Sequence, residues 1–203
     1  MRKQYIALLP CLVLGAFSHA QSAGIGFKGG LLFSTVKALN VRTGPIPGGT
    51  IGLYLPCGIG PRMELQPEVL LSSLGSTYFE PDGDVTTVRT YYLQLPISIK
   101  MYLGNGFNMA GGFQVGKILL AQEQGTEGSA KVTDSYKPMD MGFVGGVGMD
   151  LRSGLDLSLR AYGAMTPALR HDDALFPKNR SLEFTVGYRF TQFQRRGHFS
   201  RHR

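Results

Sequence analysis

From Ile25 to Phe190 the chain alternates apolar and polar residues with a period of two, in eight segments separated by turn chemistry. That period places the apolar side chains of each segment on one face of an extended strand, whereas an amphipathic helix needs a repeat near 3.6. The third segment sets Met63, Leu65, Pro67, Val69 and Leu71 against Arg62, Glu64, Gln66, Glu68 and Leu70. In the fourth, Tyr91, Leu93, Leu95, Ile97, Ile99, Met101 and Leu103 oppose Tyr92, Gln94, Pro96, Ser98, Lys100 and Tyr102. The eighth sets Leu182, Phe184, Val186, Tyr188 and Phe190 against Ser181, Glu183, Thr185, Gly187 and Arg189. Alternation sustained over about ten residues is the signature of a transmembrane β-strand.

The connections point the same way. Pro56 to Pro61, Gly104-Asn105-Gly106 and Arg152-Ser153-Gly154 are short turns, and they alternate with long connections over 35–48, 73–86, 120–138 and 166–180. Short turns on one side and long loops on the other are the pattern of an outer-membrane barrel with both termini in the periplasm. The expected fold is therefore all-β, an eight-stranded antiparallel up-and-down transmembrane barrel over residues 21–190. The 28 glycines among 203 residues, about twice ordinary usage, suit closely packed strands.

A leader precedes the barrel. Arg2 and Lys3 are followed by the mostly apolar Tyr5 to Phe17, and Ser18 and Ala20 put small residues at −3 and −1 of a cut before Gln21. This is the order of a cleaved signal peptide over residues 1–20, too short and too broken by Pro10 to span a bilayer. Beyond it only Cys57 remains, so no intramolecular disulfide forms, and no apolar run approaches 18 residues. An exported protein without such a run enters a membrane only as a closed barrel.

The formal charge of +7 is not a nucleic-acid signal. Of the 21 basic residues, six lie in the leader or in a basic tail over 191–203 (Arg2, Lys3, Arg195, Arg196, Arg201, Arg203), leaving 15 against 14 acidic residues. No partner nucleic acid is expected. The polar face of the strands carries Lys28, Arg62, Lys100, Arg160 and Arg189 against Glu64, Glu68, Asp140, Asp150, Asp156 and Glu183. A narrow lumen filled by paired charges accounts for that balance, and the expected network is Lys28, Arg62, Glu64, Glu68, Lys100, Asp140, Asp156, Arg160, Glu183 and Arg189. Arg89 and Lys117, on the apolar face near the long-loop ends, are placed to snorkel to headgroups. In the absence of Trp, Tyr91, Phe107 and Phe190 are the candidate interfacial aromatics. Pro67 and Pro96 each remove a ladder donor in mid-strand, which predicts a local bulge or bend.

The runs Gly26-Phe27-Lys28-Gly29-Gly30-Leu31-Leu32-Phe33-Ser34, Leu65-Gln66-Pro67-Glu68-Val69-Leu70, Tyr92-Leu93-Gln94-Leu95-Pro96-Ile97 with Lys100-Met101-Tyr102, and the closing Gly187-Tyr188-Arg189-Phe190 resemble the PorT-like outer-membrane β-barrel family. The resemblance covers about residues 24 to 190. It implies an outer-membrane location in a Gram-negative envelope, no assigned enzymatic activity, and for some members an association with protein secretion. It also implies that the terminal aromatic Phe190 is the signal read by the barrel-insertion machinery. The chain departs from that pattern by running on through Thr191 to Arg203, which bears on assembly or marks a periplasmic extension.

Other constellations carry less. Gly24-Ile25-Gly26-Phe27-Lys28-Gly29 matches G-x-G-x-x-G but lacks a preceding strand and a following helix. Glu80-Pro81-Asp82-Gly83-Asp84 lacks calcium-loop spacing, His171-Asp172-Asp173 has no nucleophile partner, and His198 and His202 sit in an Arg-rich tail. No catalytic residue, cofactor or metal is expected. Expected partners are outer-membrane lipid, the insertion machinery, and envelope or secretion proteins met through the long loops. The alternative is a soluble periplasmic barrel of lipocalin type, with Leu93, Leu95, Ile97 and Phe184 turned inward on an apolar ligand. A barrel enzyme acting at the outer surface would need a convergent nucleophile and base, which the loops do not offer.

Overall fold

In a computed structural model the described residues are 23–37, 42–79, 85–125, 128–169 and 177–190. Eight long strands form the wall: β1 (Gly26–Lys37), β2 (Arg42–Tyr54), β3 (Met63–Phe79), β4 (Val85–Gly104), β5 (Phe107–Gly125), β6 (Met139–Asp150), β7 (Leu155–Ala164) and β8 (Lys178–Arg189). Each pairs antiparallel with its sequence neighbour, and β1 pairs with β8 from Gly26 opposite Arg189 to Lys37 opposite Lys178. That last pairing closes the ring and leaves the wall no free edge. Short strands at Cys57–Gly58 and Gly128–Lys131 add to β3 and β5. No helix among the described residues is long and apolar enough to cross a membrane, a test that does not bear on barrels.

The alternation of each strand becomes an inside and an outside. Leu31, Phe33, Leu53, Val69, Leu95, Ile97, Phe143, Leu159 and Phe184 are exposed on the outer face, while Lys28, Glu64, Gln66, Glu68, Gln94, Lys100, Arg160 and Thr185 are buried within the ring. Leu95, Ile97 and Phe184 therefore point away from the lumen, the reverse of what an inward apolar pocket requires. On β4 the outward apolar run from Tyr91 to Leu103 has a height of about 30 Å once strand rise and tilt are applied, enough for a bilayer core.

Glycine does local work in this wall. A Cβ at Gly30 would strike the carbonyl of Phe184 on β8, and one at Gly52 the carbonyl of Val69 on β3, so neighbouring backbones approach where any side chain would hold them apart. The β4–β5 turn places Asn105 at φ 49° and Gly106 at φ 87°, the twin positive angles of a two-residue hairpin loop.

Two expectations need correction. The long connections are shorter than 35–48, 73–86, 120–138 and 166–180, because β1 runs to Lys37, β2 starts at Arg42, β3 runs to Phe79, β4 starts at Val85, β5 runs to Gly125 and β8 starts at Lys178. These strands continue past the apolar belt, where the outer face carries Ser73, Gly75, Thr77 and Thr87 and the contrast between faces disappears. Pro67 and Pro96 do not sit in bulges. The β3–β4 pairing lapses for two residues opposite Pro96 and resumes in the same register, as the loss of one ladder donor requires. Pro67 lies where β2 has already ended: Leu55 N–H donates to the Pro67 carbonyl at 2.9 Å, and the Leu55 carbonyl accepts from the Cys57 thiol at 3.6 Å. The register shifts lie elsewhere, between Pro45 and Thr50 on β2, between Tyr91 and Tyr92, and between Tyr102 and Gly104. The first of these absorbs Pro45 and Pro47, the residues that disguise β2 as a loop.

Candidate functional site

The lumen has two zones. Towards the short turns it is ionic. Glu68 on β3 accepts from Lys28 Nζ at 2.9 Å, from Arg160 Nη1 at 2.9 Å on each oxygen, and from Gln66 Nε2 at 2.5 Å. Arg160 on β7 also donates to Glu183 on β8 at 2.6 Å. One layer closer to the turns, Arg189 donates to Glu64 at 2.8 and 3.2 Å and to Asp150 at 2.8 Å, while Lys100 donates to Asp156 at 2.8 Å and to Asp150 at 3.2 Å. Tyr102 sets its hydroxyl between Asp150 and Glu64, at 2.5 and 3.1 Å, and Asn108 Nδ2 donates to Asp150 at 3.0 Å. Tyr54 on β2 lies beneath Lys28, its ring centroid 4.9 Å from Nζ.

These partners come from all eight strands, and the geometry is that of a plug. In a ring of eight, β3 and β7 stand diametrically opposite, so the Glu68–Arg160 pair spans the lumen. Between the charges run shorter hydroxyl links, Thr50 to Ser72 at 2.8 Å, Ser72 to Gln94 at 2.7 Å and Ser158 to Thr185 at 2.6 Å. A residual cavity of about 10 Å³ beside Gln66, Lys100, Asn108 and Arg160 has room for no more than about one water molecule. Below the plug the ring opens into a cavity of about 480 Å³ bordered by Pro61, Tyr102, Asn105, Asp150, Arg152 and Arg189.

Towards the long connections the filling turns apolar. Leu32, Leu74, Val88, Tyr92, Ile118, Ala121, Tyr136 and Ala168 form one buried cluster, with Tyr78, Val132 and Leu169 against it. Two of these elements come from connections folded back over the mouth. Val132 N–H donates to the Ala121 carbonyl at 3.0 Å, Thr133 Oγ1 accepts from Ala121 N–H at 3.0 Å, and Lys137 N–H donates to the Ala168 carbonyl at 2.8 Å. The segment 132–138 is thus a lid seated on the barrel's own wall.

Of the expected network, Lys28, Glu64, Glu68, Lys100, Asp156, Arg160, Glu183 and Arg189 come together in the ionic layer. Arg62 does not. It is exposed in the turn before β3, outside the wall that would aim it inward. Asp140 is buried but separate, held by Thr166 Oγ1 at 3.0 Å and Asn179 Nδ2 at 2.8 Å, neutral donors between the two zones. Asp150 belongs to the layer although it closes its strand, and the expected network omits Gln66, Tyr54, Tyr102 and Asn108, whose place on the polar face is the only signal for them. Phe190 follows β8 on the outer face, with ring centroids 5.9 Å from Phe27 and 5.7 Å from Tyr188, and its N–H donates to Ile25 at 2.9 Å. Phe107 lies at the same turn end and Tyr91 in the opposite half of its strand. Arg89 and Lys117 both face outward, Arg89 reaching Ser73 Oγ at 3.5 Å. The groups Glu80–Asp84, His171–Asp173, His198 and His202, the leader and the tail lie outside the described residues.

A closed eight-stranded ring with an apolar exterior and an ion-paired interior is a barrel of the outer-membrane class. The chain belongs to the outer membrane protein beta-barrel domain family, whose model matches residues 19–170. Among solved structures it is similar to Neisserial surface protein A, at 12% identity and a TM-score of 0.57, over 84% of this chain and 100% of that one. It is also similar to Ail, the attachment invasion locus protein of Yersinia pestis, at 14% identity and a TM-score of 0.51, over 82% of this chain and 99% of that one. No curated protein sequence matches it.

Proposed function

We propose that this is an integral outer-membrane barrel of PorT-like type, non-enzymatic, that serves as a structural and interaction module, with a link to protein secretion. The observation that carries this reading is the double closure of the lumen: charge pairs span it at one end and the 132–138 lid covers the other. A plugged interior offers no route for solute, so contacts with other molecules fall to the outer connections and rim. The PorT-like assignment and the secretion link rest on the sequence runs named above, Gln66-Pro67-Glu68 and Leu93-Gln94-Leu95-Pro96 foremost. In this reading the partners are outer-membrane lipid, the insertion machinery acting on Phe190, and envelope or secretion proteins at the outer end. Residues 1–20 direct export and are cut after Ala20, and the tail over 191–203 lies in the periplasm.

Gel mobility of the outer-membrane fraction, with and without boiling in SDS, tests the placement. A heat-dependent shift is expected from a closed, detergent-resistant barrel. Recovery in the soluble periplasm with no shift would contradict it. For the secretion link, deletion of the gene is expected to lower the amount of exported protein reaching the medium while leaving the periplasmic pool intact.

A further inference from the structure

The seam between β8 and β1 ends in an arrangement that costs free energy unless something neutralises it. In the closing register Lys37 stands directly opposite Lys178, and Arg180 stands opposite Thr35 two residues below. Their alternation with the buried Val36 and Asn179 turns all three outward, and Arg42 at the start of β2 is exposed nearby on the same rim. Cβ atoms of directly opposed residues lie about 4.5–5.5 Å apart, where like charges repel. Among the described residues none of these four cations has an acidic partner.

The cations also stand where a membrane surface would be. On the same outward rows, directly below them, come Phe33 and Leu182, 56% and 50% exposed, the last apolar side chains of the belt on these strands. Lysine and arginine stems bridge from such a belt to the headgroup layer and deliver charge there. On the outer face of β4 and β5 the cations are single: Arg89 stands opposite Gly75 and Gln122 and reaches Ser73, and Lys117 stands opposite Leu93 and Met139. The outer ends of β3 and β4 show Ser73, Thr77, Phe79, Val85 and Thr87.

We propose that the rim formed by Lys37, Lys178, Arg180 and Arg42 binds a phosphorylated lipid of the outer leaflet, its acyl chains lying on Leu31, Phe33, Leu182 and Phe184. Two ammonium groups side by side and a guanidinium beneath them match a headgroup carrying two phosphates, with the arginine able to take one phosphate by two parallel hydrogen bonds. The inference rests on the membrane placement above and adds a ligand to it.

The test uses the full refolded chain in neutral detergent and reads the temperature at which the folded gel band converts to the unfolded one. The probes are lipid A bearing both phosphates, the same lipid with its phosphates removed, and inorganic phosphate alone. The expected result is a rise of several degrees with bisphosphorylated lipid A only, abolished in the triple variant Lys37→Gln, Lys178→Gln, Arg180→Gln and kept in Arg62→Gln at the opposite end. A second variant, Lys178→Glu, places opposite charges across the seam. It is expected to convert at a higher temperature than the parent without lipid and to lose the lipid response. An equal rise with dephosphorylated lipid or with phosphate alone, or an undiminished rise in the triple variant, overturns the lipid site while leaving the barrel intact. Absence of any folded band under all conditions overturns the barrel reading itself.

Discussion

The two ends of the lumen are closed by different physics. At the turn end the filling is charged and every strand contributes to it, so each ion is held by partners on walls that the fold keeps at fixed distance. At the outer end the filling is apolar and depends in part on 132–138, a segment outside the wall. Removing one member of a buried ion network leaves the others desolvated and unpaired, whereas removing one apolar contact leaves a cavity that the surrounding side chains can partly fill. The ionic end is thus bound to the stability of the whole ring, and the apolar end to that of its lid.

The largest effect expected from breaking this contrast is at Glu68. Glu68→Ala strands Lys28 and Arg160 without their shared carboxylate, and should lower the unfolding free energy in urea by about 3–5 kcal/mol. Ile97→Arg, on the lipid face of β4, should cost about 2–4 kcal/mol when the barrel is refolded into vesicles and much less in a charged detergent. Gly30→Ala forces a methyl group onto the Phe184 carbonyl and should cost about 1–3 kcal/mol. Tyr136→Ala should destabilise the ring less than Glu68→Ala does while speeding amide exchange selectively in 128–137, since the lid opens without the wall. Arg62→Gln, exposed in a turn, should stay within about 0.5 kcal/mol of the parent. Equal losses at Glu68 and Tyr136 would erase the distinction between the two ends.

The same contrast explains what the sequence could reveal. Within the membrane belt the two faces of each strand meet opposite environments, so alternation identifies the strands and assigns Lys28, Glu68, Arg160 and Arg189 to the interior. Above the belt the outer face turns polar while the interior takes apolar Leu74 beside polar Ser72 and Ser76, so parity no longer separates the two residue types, and Ser73 to Thr77 or Arg42 to Thr50 look like loop while forming strand. Leu119 is the extra residue where the β4–β5 register shifts, and Ala121 beyond it returns to the interior out of phase with Ile118. Arg62 illustrates a further limit: parity assigned it to the interior face, but a residue before the first ladder pair has no wall to direct it. The pairing of Glu68 with Arg160 has no local signal, because they are 92 residues apart and meet only once the ring closes. The lid is equally silent in sequence, since Val132 and Tyr136 sit in a stretch with no period at all.

The central claim is that this barrel is inserted in a bilayer with its lumen shut. Current across a planar bilayer holding the purified, heat-shiftable protein tests it most directly. The account predicts insertion without steady conductance in the parent, because the Glu68–Arg160 chord and the 132–138 lid stand in series across the lumen. A stable ohmic conductance in the unaltered protein would contradict it.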